Sequence, residues 1–122
     1  MPRLLVVEDS DLVARSLMRM LGRHFTIVRV DDGEAARNLL SDDRAEEYDL
    51  ILSDVTMPRL DGLGLLCWVR EARPELVHRL AFMTADPLCP AAVEIGRTHP
   101  VLRKPVARET ILAFAAAVNK KT

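Results

Sequence analysis

Five short apolar runs divide the chain, and each leads into a stretch of helical periodicity. The runs cover residues 3–7, 26–30, 50–53, 80–83 and 101–103, rich in Leu, Ile and Val and too short to be helices. Strands that alternate with helical patterns in this way form βαβ units, so the chain should fold as an α/β protein around a parallel sheet. Leu50-Ile51-Leu52 is apolar at consecutive positions, as expected of a central strand covered on both faces.

The helices between the runs are legible from caps and spacing. Ser10 or Asp11 caps a first helix that runs to about residue 23, with Val13, Leu17, Met20 and Leu21 inward. Asp32-Gly33-Glu34 opens a second, with Ala36, Leu39 and Leu40 inward, and the acidic stretch 41–47 reads as its solvated end and a loop. Pro58 and Gly62 bracket a loop before a third helix over 63–72, which turns Leu63, Leu66 and Val69 inward and leaves Trp68 partly exposed. Pro87 and Pro90 leave only 91–96 for helix four, which should be short or irregular. A fifth spans about 107–118, with Ile111, Leu112, Ala115 and Val118 toward the sheet. Right-handed crossovers favour a doubly wound, flavodoxin-like sheet of five strands in the order 2-1-3-4-5, flanked by five helices.

No repeat, linker or shift of composition divides the 122 residues, so one domain covers 1–122. The net charge of −1 gives no bulk reason to expect nucleic-acid or membrane binding. No apolar run approaches the ~20 residues of a membrane span. The start, Met-Pro-Arg, leads straight into a strand without a signal-peptide pattern, and Cys67 and Cys89 lie far apart without metal-ligand spacing. Reduced thiols and a cytoplasmic location are the expectation.

Polar residues stand where the strands end. Glu8 and Asp9 close the first run, Asp54 the third and Thr84 the fourth, while Lys104 follows the fifth and precedes Pro105. In an open parallel sheet these ends border one crevice, where ligands bind. Taken singly, Asp9 reads as a helix cap, Asp54 as a turn residue and Lys104 as a solvated surface group. Their convergence on one sheet edge favours a site. Three carboxylates brought together repel unless cations join them, and a divalent metal with an ammonium group would suit a phosphoryl ligand.

Glu8-Asp9, Asp54-Val55-Thr56-Met57-Pro58 with Asp61-Gly62, Thr84-Ala85 and Lys104-Pro105 together resemble the response regulator receiver domain over the full chain. The resemblance implies a phosphoacceptor of two-component signalling rather than a conventional enzyme, one that promotes its own phosphorylation and dephosphorylation. It makes Asp54 the phosphoacceptor. Magnesium would be held by Glu8, Asp9, Asp54 and the backbone carbonyl of Thr56; the family more often has Asp where Glu8 stands, but the charge is kept. Lys104, the Thr84 hydroxyl and the Ala85 amide would bind phosphoryl oxygens, and a cis bond before Pro105 would aim Lys104 inward. Thr56 and Asp86 resemble the positions that set the lifetime of the acyl phosphate. The expected partner is a histidine kinase or histidine phosphotransfer protein docking on the first helix at Asp11, Ala14, Arg15 and Met18.

The chain departs from the family pattern at Val101, where an aromatic switch residue usually stands, and the segment from Thr84 to Lys104 looks short. The face formed by helix four, strand five and helix five is the family's usual dimerisation and output surface, and these departures put it in doubt. The segment from Gly96 to Pro105 looks more like receivers attached to hybrid histidine kinases. Three rival functions are weighed against the residues. An aspartyl-phosphate phosphatase would want an acid where Thr56 stands, and a nucleotide-binding protein would want a glycine-rich loop where Glu8-Asp9 stand. A phosphorylation-independent scaffold is consistent with Val101 but not with the complete set of acids, Thr84 and Lys104.

Overall fold

The computed structural model describes residues 1–121. Strands and α-helices alternate as β1 (Arg3–Val7), α1 (Asp11–Leu21), β2 (Thr26–Val30), α2 (Gly33–Leu40), β3 (Leu50–Asp54), α3 (Gly62–Ala72), β4 (Leu80–Thr84), α4 (Pro90–Gly96), β5 (Val101–Arg103) and α5 (Arg108–Lys121). Two 3-10 turns, Ala45–Glu47 and Pro74–Arg79, precede β3 and β4. All strand pairs are parallel, in the order β2-β1-β3-β4-β5. The flavodoxin-like, doubly wound sheet is therefore observed, as is a fourth helix of only seven residues that begins at Pro90.

Side chains alternate across a strand, so each central strand feeds two cores. Leu5, Val7, Ile51 and Phe82 join Leu40, Leu65, Val69 and Ile95 beneath α2, α3 and α4. Leu4, Val6, Leu50, Leu52 and Met83 join Leu17, Leu21, Ile111 and Val118 beneath α1 and α5. Every residue of β3 and β4 is buried, while the edge strands β2 and β5 are half-covered. This is the burial that consecutive apolar residues in a parallel sheet require.

Three local expectations are revised. Ala14 is buried, because it lies three and seven residues before Leu17 and Leu21 on the arc of α1 that faces the sheet. Val13 and Met20 are only half-covered on the helix flank, and Leu12 stands 80% exposed. The stretch 41–47 is not wholly solvated: its 3-10 turn tucks Ala45 into the core, and Arg73 donates hydrogen bonds to the carbonyls of Leu40 and Asp42. Trp68 is half-buried against the α2–α4 core, in keeping with its expected partial exposure.

The register sets the strand ends level. Glu8 N–H donates to Val30 O, Val55 N–H to Met83 O and Lys104 N–H to Thr84 O, each carrying the ladder one residue past its strand. The chain leaves β1 toward β2 and then returns to β3 on the other side of β1, which opens the crevice between β1 and β3. The loop after β3 is fixed from below. Gly62 begins α3 so close to Asp54 that a Cβ would lie 2.6 Å from the Asp54 carbonyl oxygen and 2.9 Å from Val55 Cα. Gly62→Ala should therefore cost about 2 kcal/mol of stability, read as a lower urea midpoint. An unchanged midpoint would show that this loop yields freely.

Candidate functional site

Glu8, Asp54 and Lys104 meet at the crevice although Lys104 is 96 residues from Glu8 in sequence. Lys104 Nζ donates to Glu8 Oε1 at 2.8 Å and lies 2.6 Å from Asp54 Oδ1, an ion pair aligned less well for hydrogen bonding. One oxygen each from Glu8, Asp9 and Asp54 falls within a cluster spanning 4.8 Å. Glu8 and Asp54 are buried and Asp9 is exposed at the rim. The Lys104–Pro105 peptide is cis, as expected.

Burial dominates the electrostatics of Asp54. It raises the carboxyl to about 8, and the neighbouring Glu8 adds to the rise more than Lys104 opposes it. Burial also disfavours the Glu8 charge, but the neighbouring Asp54 carboxyl and the hydrogen bonds from Lys104 and the Ser10 amide outweigh it and lower Glu8 to about 2. Without a further cation the two acids thus share one proton beside one ammonium. Asp54 Oδ2 is buried with no hydrogen-bond partner. Fully ionised, the three carboxylates against one ammonium leave two negative charges, the charge of one divalent ion. Hard oxygen ligands and an orphaned carboxylate oxygen fit a magnesium-type cation.

The remaining expected residues line the same cleft, of about 230 Å³, formed by Asp54, Thr56, Met83, Thr84, Ala85, Asp86 and Lys104. Thr84 is tied into the following turn: its hydroxyl accepts from Asp86 N–H at 3.1 Å and donates to Asp86 O at 3.3 Å. Of the four residues expected on the outer face of α1, Asp11, Arg15 and Met18 are exposed and Ala14 is not. Exposed Leu12 lies there instead, on a groove of about 340 Å³ shared with Val13, Ser16, Met20, Lys104, Pro105 and Val106.

Two supporting ion pairs were not apparent from sequence. Asp32 caps α2 through Ala35 N–H, and its second oxygen receives Arg59 at 2.5–2.6 Å, tying α2 to the loop after β3. Arg59 has a φ of 69°, an uncommon left-handed conformation for a residue other than glycine. Arg29 on β2 bonds the Glu8 carbonyl and the Asp11 carboxylate. The available signal was an arginine in a run of β-branched residues, which alone names no partner.

The sequence matches the family model for the response regulator receiver domain over residues 4–116. The chain belongs to that family. It is therefore a receiver domain of the two-component type, a class of phosphoacceptor domains. Response regulator MprA of Mycolicibacterium vanbaalenii is 33% identical over 98% of this receiver and 51% of its own length. MprA of Mycobacterium ulcerans gives the same figures, so this chain spans about half the length of these curated relatives. Among solved structures, the receiver of a signal transduction histidine kinase from Syntrophus aciditrophicus has a TM-score of 0.82 at 26% identity, covering 100% of this chain and 92% of that one. The receiver of a sensor histidine kinase from Pseudomonas aeruginosa PAO1, with a magnesium ion in its active-site cleft, has a TM-score of 0.82 at 23% identity, covering 97% and 98%. Receivers of regulators and of kinases thus both stand among the relatives.

In the metal-free receiver, Asp54 binds its proton more tightly folded than unfolded. That contribution to stability is complete below the ordinary value of 3.8 and is lost as pH rises through about 8. Glu8 acts in the opposite sense: its contribution is complete above 4.5 and is lost as pH falls through about 2. Asp54→Asn should therefore stabilise the metal-free domain by about 2 kcal/mol at pH 8, with the gain shrinking toward pH 5. Urea titrations in chelator measure this. Equal pH dependence in both proteins would refute the shared proton.

Proposed function

We propose that this receiver takes a phosphoryl group onto Asp54 from the phosphohistidine of a histidine kinase or histidine phosphotransfer protein, in a magnesium-dependent reaction in the cytoplasm. The observation that carries this reading is the buried, unpartnered Asp54 oxygen beside Lys104 at the floor of an accessible cleft. Glu8, Asp9, Asp54 and the Thr56 backbone carbonyl would hold the cation. When bound, that cation neutralises charge on the phosphoryl oxygens and favours the ionised acids.

The remaining steps belong to side chains of this chain. The Asp54 carboxylate attacks phosphorus as the donor's P–N bond breaks, forming an acyl phosphate, and the leaving imidazole ends with the proton it needs from solvent. Lys104 shifts from pairing two acids to pairing a phosphoryl oxygen, a short move because Nζ already lies 2.6 Å from Asp54. The Thr84 hydroxyl exchanges its weak bond to the Asp86 carbonyl for another phosphoryl oxygen, and the Ala85 amide receives a third. Thr56 and Asp86 border the approach of the water that hydrolyses the product.

The donor's helix would dock on α1, where Leu12, Arg15 and Met18 are exposed and the Leu12–Val106 groove opens beside Lys104. Binding is through protein contact, with no nucleic-acid role for this domain. A phosphorylation-independent scaffold is the second reading, favoured by the short α4 and by Val101 in place of an aromatic.

Intact-protein mass after incubation with a small acyl-phosphate donor separates the two. One phosphoryl adduct that requires magnesium and disappears in Asp54→Asn is expected. A stable adduct that persists in Asp54→Asn would remove Asp54 from its role. No adduct, together with no magnesium binding by direct titration, would favour the scaffold.

A further inference from the structure

Arg29 is the fourth of five residues in the edge strand β2, among Thr26, Ile27, Val28 and Val30. Its side chain is 21% exposed and is spent almost wholly on the β1–α1 turn. Nε and Nη2 both donate to the Glu8 carbonyl, at 3.0 and 2.8 Å. Nη1 donates to Asp11 Oδ1 at 2.8 Å, and Nη2 lies 3.4 Å from Asp31 Oδ1. The carbonyl it grips belongs to the peptide joining Glu8 to Asp9, so both carboxylates hang from the group that Arg29 holds. The Glu8 N–H is fixed to Val30 O on the same strand, and Ser10 N–H is fixed to Glu8 Oε2. β2 thus holds Glu8 by both its N–H and its carbonyl.

We infer that Arg29 is a positioning residue for the cation site, its guanidinium fork setting the Glu8–Asp9 peptide where the two carboxylates converge with Asp54. The inference rests on the reading of these acids as a magnesium site. Magnesium demands near-octahedral oxygen geometry, so a small displacement of that turn weakens it. A lysine at position 29 keeps the charge but places one ammonium where three nitrogens now bind, and holds the carbonyl and Asp11 less well together.

Charge alone predicts the opposite sign. A cation close to an acidic cluster repels magnesium, so neutralising Arg29 would strengthen binding if its role were electrostatic. If its role is geometric, Arg29→Lys and Arg29→Met both weaken binding, although one keeps the charge and the other does not. Outer groups that orient metal ligands are worth about tenfold or more in affinity.

The test is calorimetric titration of magnesium into the full chain for wild type, Arg29→Lys, Arg29→Met and Asp9→Asn. Amide hydrogen exchange in chelator accompanies it. Wild type should bind one ion with a dependence on Asp9, and both Arg29 variants should bind about tenfold more weakly. The Ser10 and Val13 amides, which the turn protects, should exchange faster in Arg29→Lys, while the Leu65 amide at the start of α3 keeps its wild-type rate. Wild-type affinity in Arg29→Lys, or tighter binding in Arg29→Met, would overturn the positioning role and leave the metal site standing. Absence of Asp9-dependent binding in wild type would overturn the metal site itself, and the positioning role with it. Should Arg29→Met not fold, Arg29→Lys decides alone through its affinity and its exchange rates.

Discussion

Charge crowding at the β1–β3 crevice is the constraint around which the rest of the structure is arranged. Two buried acids and a third at the rim face a single ammonium, and no apolar packing relieves that imbalance. The fold tolerates it because the sheet itself fixes the positions: each acid or base lies at or just past the end of a strand whose backbone ladder runs one residue beyond the strand end. Rigidity below holds the acids together against their repulsion above. Asp54 Oδ2 is buried without a hydrogen-bond partner, while Lys104 bonds Glu8 and the Thr84 hydroxyl bonds the Asp86 carbonyl.

The segment after β3 is held as tightly as the strands. Gly62 meets the Asp54 carbonyl from one side, and Arg59 reaches across to Asp32 at the start of α2 from the other. Gly33 closes the same junction: a Cβ there would fall on the Leu60 carbonyl oxygen. Thr56 therefore sits in a loop pinned at both ends.

The sheet was readable because its central strands are uninterrupted apolar runs, and right-handed crossovers favoured the observed strand order. The acids, Thr84 and Lys104 were readable because they stand directly after those runs. Helix faces were less so. Ala14 is small and gave no apolar signal of its own, so its burial depends on the rotation of α1, which Leu17 and Leu21 set and which Val13 and Met20 pull the other way. Exposed Leu12 looked like one more apolar residue in a helix. Arg29 and Arg59 were invisible for a different reason: a long cation finds its partners only after distant elements have packed, and neither spacing nor composition encodes that.

Glu8 and Lys104 bond across a sequence separation of 96, and every other member of the site lies between them. Chain growth from the ribosome therefore delivers the acids first and their counter-cation last. A nascent chain with β1 to β4 in hand carries the repulsion without its remedy, so the sheet's final edge strand and the charge balance arrive together. Contacts of such high sequence separation form late and slowly. A partly made copy thus holds its carboxylates without the ammonium that pairs them, and the Lys104–Glu8 bond forms only in a polypeptide complete through Lys104.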